Sequence, residues 1–195
     1  NLSILPIDGS SAIAPWKRWW WRYAFSDAMA SALAWSVLFA FRKGVVEPRW
    51  FGVEVDMSPD ANFWAALCLV PMFWWVLHAS MGMYSDIRRR HRGLEIQQVF
   101  QGSAVGGVLL FFALLLDDVT STHVDHYASL VVWLGTHLTL VLWARYQWTA
   151  RVVHRVQSGA WAFDTILLGD AEANQRFVMD LDKTPGREGW NIVKQ

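Results

Sequence analysis

Tyr84-Ser85-Asp86-Ile87-Arg88-Arg89-Arg90-His91-Arg92-Gly93-Leu94-Glu95-Ile96 places four arginines within five positions, between two long apolar runs. A charged side chain at the centre of a bilayer costs roughly 2.5–3.5 kcal/mol on insertion scales. Four together cannot lie in hydrocarbon, so this tract stays on the side of the membrane where the chain is made. The apolar runs before and after it are read as membrane spans, and the tract sets their orientation. At helical spacing Tyr84, Ile87, His91 and Leu94 make a weak apolar stripe, which predicts a helix lying on the membrane surface. Arg88, Arg89, Arg90 and Arg92 are then candidates for contact with anionic lipid headgroups, or simply a topogenic charge cluster.

The wider composition agrees. Of 195 residues, 54% are hydrophobic, and 14 are tryptophan, a residue favoured at membrane–water interfaces. Formal net charge is +0, so no general attraction to nucleic acid is expected. A single cysteine, Cys68, excludes an intramolecular disulfide, and in its apolar run it reads as a small packing residue.

Four spans are expected, at about residues 23–41, 63–83, 99–116 and 127–144. Residues 1–22 form an arm ending in the aromatic and basic stretch Trp16–Arg22, suited to the headgroup level. The first span, at roughly 1.5 Å per residue, covers about 28 Å, enough for a hydrocarbon core of about 30 Å. Small residues crowd it (Ala28, Ala30, Ser31, Ala32, Ala34, Ser36). They also crowd the third, where Gly102 and Gly106 fit the pattern for close helix approach. These faces suggest self-association into a homo-oligomer. Residues 42–62, with Gly44, Pro48, Gly52 and Pro59, read as a polar connection with a short extended piece near Trp50–Val55. Pro71 predicts a kink in the second span. Arg145, Arg151, His154 and Arg155 continue the fourth span as a helix into solution. Lys and Arg concentrate before the first span, after the second and after the fourth. The positive-inside rule then puts both termini in the cytoplasm of a multi-pass membrane protein, the connection after the first span being discordant.

Beyond Gly159, Asp164–Gly169, Ala171–Leu181 and Trp190–Val193 read as strand, helix and strand, with Asp170 as helix N-cap. The fold class is thus an α-helical membrane protein: a four-transmembrane-helix bundle at 23–158, including the basic segment 84–98. The start of a Rossmann-like domain follows at 159–195, which cannot bury both faces of a sheet by itself.

Few residues suggest chemistry. Gly169 holds the place of the first glycine of a phosphate loop, but Ala171 stands where the second belongs, and Asp170 and Glu172 repel phosphate. Asp27, one turn inside the first span, is either a functional acid or one that faces the bundle or pairs with Arg18 or Arg22. His78 and His137 fall at similar depths. Two such imidazoles either ligate a haem or bond a quinone, or are bonded singly to other helices. His123 and His126 with Asp118 and Asp125 are a further metal candidate on the outer side, less favoured than no metal site at all.

Gly82-Met83-Tyr84-Ser85-Asp86-Ile87-Arg88-Arg89-Arg90, the basic helix from Arg145 to Arg155, and Asp164-Thr165-Ile166-Leu167-Leu168-Gly169-Asp170-Ala171-Glu172-Ala173, in that order after the spans, resemble the N-terminal half of the bacterial polyprenyl-phosphate glycosyl-1-phosphate transferases. Gly169, Glu172 and Ala173 fit the family's strand-opening form. The resemblance covers about residues 16–195. It implies transfer of a sugar-1-phosphate from a nucleotide sugar to polyprenyl phosphate with magnesium, at the start of exopolysaccharide or O-antigen synthesis. It places catalysis in a C-terminal domain with an Asp-Glu pair, expected outside this chain, so no catalytic residue carries over. Membrane-anchored nucleotide-sugar dehydratases and epimerases share the four-span front end. A non-enzymatic four-helix subunit binding haem, quinone or a partner is the third class.

Overall fold

A computed structural model describes residues 18–85, 87, 92–117, 123–158, 160–161, 163–166, 170–183 and 190–194. Among these residues four helices are long and apolar enough to cross a membrane. Helix α1 (Trp20–Phe41) passes through a π-helical turn (Arg42–Val46) into the short α2 (Glu47–Phe51). Helices α3 (Ala61–Ser80), α4 (Arg92–Asp117) and α5 (His123–Gln157) follow. Helix α1 packs between α3 and α5, while α4 closes the bundle against α5 and, more lightly, α3.

The patterning is inside-out relative to a water-soluble bundle. On α1 the outward stripe is Phe25, Met29, Leu33 and Val37, while Tyr23, Asp27, Ser31 and Ala34 are buried. Each set repeats every three or four residues, as one helical face must. Apolar groups face outward because the surroundings are hydrocarbon, and polar groups turn inward because only there do they find partners. On α5 the buried face is Trp133, His137, Val141, Arg145, Thr149, Val152 and Val156.

Glycine lets α4 approach α3. A methyl group added at Gly106 would sit 2.4 Å from the Trp74 ring, and one at Gly102 would meet Met81 at 3.3 Å and His78 at 3.6 Å. The expected small-residue seam of the third span is therefore an internal contact between α3 and α4.

Several expectations are corrected. The polar connection after the first span is helical to Phe51, not extended. Lys43 pairs with Glu47 at 3.0 Å one turn on. Pro48 sits in the first turn of α2, where its missing N–H costs nothing. Gly52, at φ 66°, ends the helix. Trp50 Nε1 then donates to Asp125 Oδ2 (2.9 Å), tying α2 to the start of α5. The second span ends at Ser80, not Met83. Gly82, at φ 69°, allows its N–H to bond Ala79 O and that of Met83 to bond His78 O, a Schellman closure. Residues 92–98 belong to α4 itself rather than to a separate surface helix, so the third span starts seven residues early. Cys68 faces outward rather than packing inside.

After α5 come β1 (Phe163–Ile166), α6 (Ala171–Lys183) and β2 (Trp190–Lys194). The two strands pair in parallel, with Phe163 opposite Trp190, and the register slips between Thr165 and Ile166. Asn174 N–H bonds Asp170 O at the head of α6.

Candidate functional site

Buried polar side chains from four helices, Asp27 of α1, His78 of α3, Glu95 of α4 and Arg145 and Thr149 of α5, form one cluster around Asp27 and Arg145. Its carboxylate accepts from Arg145 side-on: Nε reaches Oδ1 at 3.1 Å, and Nη2 bonds Oδ2. Oδ2 also meets His78 Nδ1 (3.1 Å) and accepts from the Tyr84 hydroxyl (2.9 Å). A carboxylate in so dry a place stands only if its lone pairs are filled and its charge is matched, and both conditions hold here. The expected partners Arg18 and Arg22 are not used; Arg22 lies over Trp19 instead, 4.2 Å from the ring centre.

Arg145 is shared. Its Nη1 reaches Glu95 Oε1 on α4 at 3.4 Å. The second oxygen of Glu95 accepts from the Thr149 hydroxyl. Since that single proton is spent on Glu95, the Tyr23 hydroxyl at 3.1 Å donates to Thr149. One guanidinium thus joins two carboxylates from different helices, and its carbon lies 5.8 Å from the Tyr23 ring centre and 5.6 Å from that of Tyr84.

Tyr84 comes from the turn after α3. Burial first, and the Asp27 charge second, push its hydroxyl above the usual phenol range. It therefore remains a proton donor to Asp27. The capping Gly82 aims it, and Ile87, three residues on, is buried against Trp19, Val152 and Trp161.

His78 and His137 are brought together as their depths predict, with ring centres 6.4 Å apart. Trp74 stacks on His137 at 4.0 Å. His78 Nε2 and both His137 ring nitrogens are buried without a hydrogen-bond partner among the described residues. A pocket of about 290 Å³ between α4 and α5, lined by Ile96, Leu142 and Trp143, reaches Glu95, Arg145 and Thr149 from outside the bundle. No group of three or more metal-ligating side chains is present among the described residues.

Arg88, Arg89, Arg90 and Gly169 lie outside the described residues, as do Asp118 and the side chains of Arg92 and His123. Arg145, read from sequence as a cation in solution, is 1% exposed. Glu95, Thr149, Tyr23 and Tyr84 were not singled out for a polar site. Spacing carried the signal: Tyr23-Asp27-Ser31 and His137-Val141-Arg145-Thr149 each step by four residues down one face. Comparison with known proteins finds no matching family model, no matching curated protein and no matching solved structure.

Proposed function

We propose that this chain is the membrane-anchoring and regulatory region of a polyprenyl-phosphate sugar-1-phosphate transferase that initiates bacterial exopolysaccharide or O-antigen synthesis. In this reading the chemistry belongs to a separate catalytic domain, and the β1–α6–β2 unit opens a Rossmann-like domain on the cytoplasmic side. One observation supports it above the others. Tyr84, from the element Gly82–Arg90 that carries the resemblance, closes on the buried acid Asp27 at 2.9 Å. Tyr84 and Ile87 of this element are therefore packed into the membrane domain, as residues of a motif with a positional task would be. Helix α5 runs 35 residues from the far end of the bundle almost to β1, which suits a rigid link between anchor and soluble unit.

The ion-pair cluster then fixes the relative placement of the helices that carry the soluble unit. The test is UMP release. Membranes holding the full-length gene product, supplied with UDP-sugars, polyprenyl phosphate and magnesium, are expected to release UMP, and membranes holding residues 1–195 alone are not. Release by residues 1–195 alone, or none by the full-length product with any UDP-sugar, would contradict the reading. NAD bound by the full-length product would favour the dehydratase or epimerase class instead.

A further inference from the structure

A groove of about 420 Å³ runs along the outward side of the α1–α5 pair, within the size range of small-ligand sites. Arg151 stands at one end, with Gln147 and Ser26 beside it. Met29 and Leu33 of α1 and Leu140 of α5 continue it toward the middle of the bundle. From Leu140 to Arg151 the helix rises about 16 Å at 1.5 Å per residue. Polarity therefore falls along the groove from a cation, through two side chains that can hydrogen-bond, to plain hydrocarbon. A phospholipid has the same sequence of parts: phosphate, ester linkage and acyl chain.

Charge at the polar end adds an independent argument. Arg151 lies 4.7 Å over the Trp148 ring, Arg155 4.6 Å over Trp19, and Arg22 4.2 Å over Trp19 and 5.5 Å over Trp148. Among the described residues none of the three pairs with a carboxylate. Three guanidiniums gathered on the rings of Trp19 and Trp148 concentrate positive charge at this end of the groove. A free anion would leave the apolar length of the groove uncovered, and a zwitterionic lipid would bring a cation against the arginines.

We propose that the α1–α5 groove binds one anionic glycerophospholipid, with its phosphate on Arg151 and one acyl chain laid between Met29, Leu33 and Leu140. The test is native mass spectrometry of the delipidated full chain, given equal amounts of phosphatidylglycerol and phosphatidylcholine with identical chains. Phosphatidylglycerol is expected to be retained about fivefold over phosphatidylcholine, roughly the factor carried by one arginine at an anionic surface. Arg151→Gln, a change at an exposed position, is expected to erase that preference while phosphatidylcholine retention stays the same. Ala144→Phe, which fills the groove, is expected to lower retention of both lipids. Equal retention of the two lipids, an unchanged preference in Arg151→Gln, displacement by equimolar polyprenyl phosphate, or lipid-free dimers would each overturn the assignment.

Discussion

Arg145 and Asp27, 118 residues apart, meet side-on in the interior, Nε to Oδ1 at 3.1 Å, each with its side chain 1% exposed. Such a pair gains less from its own attraction than it loses when broken, because the survivor is left as a buried, unmatched charge. Arg145→Met strands two carboxylates, Asp27 and Glu95. We expect it to cost about 3–5 kcal/mol, read as lost midpoint in denaturant unfolding of detergent-solubilised protein. Arg145→Lys keeps the charge but has no side-on fork and should fall between.

Tyr84→Phe removes one donor from Asp27 and leaves the ring in place. A hydrogen bond to a charged group contributes about 1.5–3 kcal/mol, and a loss in that range is expected by the same measurement. Tyr23→Phe should cost less, because the Tyr23 hydroxyl serves the neutral Thr149.

The two glycine roles separate cleanly. Gly106→Ala drives a methyl group into Trp74 and should cost about 1–3 kcal/mol by overpacking. Gly135→Ala meets nothing within 4 Å and should be neutral or stabilising by about 0.5–1 kcal/mol. Gly82→Ala, at φ 69°, should cost about 1–2 kcal/mol through backbone strain alone. Thermal unfolding of the three variants side by side orders them.

The orientation proposed from the arginine tract is tested by labelling. Ser58 lies between α2 and α3, and Ser158 at the end of α5, at opposite ends of the bundle. In a Cys68→Ser background, Ser58→Cys is expected to react with a membrane-impermeant maleimide in intact cells, and Ser158→Cys only after lysis. The reverse pattern would turn the protein over and place the β1–α6–β2 unit outside.

Hydrophobic runs made the four helices legible in the sequence, because a bilayer demands about twenty apolar residues whatever their neighbours. Their ends were not. The π-helical turn and Pro48 carry the first helix on through residues that read as a loop, and it stops only at Gly52, since Pro and Gly signal a break only where φ or the missing N–H conflicts with the helix. The cluster was half legible. Asp27, His78 and His137 stood out as ionisable groups in apolar runs. Glu95 and Arg145 did not, because each sits at the edge of an apolar run, and burial there depends on which face the neighbouring helices cover. Tyr84 falls on the apolar stripe of the arginine tract, and nothing local to it says that a turn folds it back over Asp27.

The central claim is that Asp27 and Arg145 act as one buried unit joining α1 to α5. A double-mutant cycle measures it directly: unfolding free energies of Asp27→Leu, Arg145→Met and the double variant, in one detergent at one pH. The account predicts that the double variant is no less stable than Arg145→Met alone, so that the coupling between the sites is at least the whole loss seen in Asp27→Leu. Losses that simply add would contradict it and leave the two charges as independent residents of the bundle.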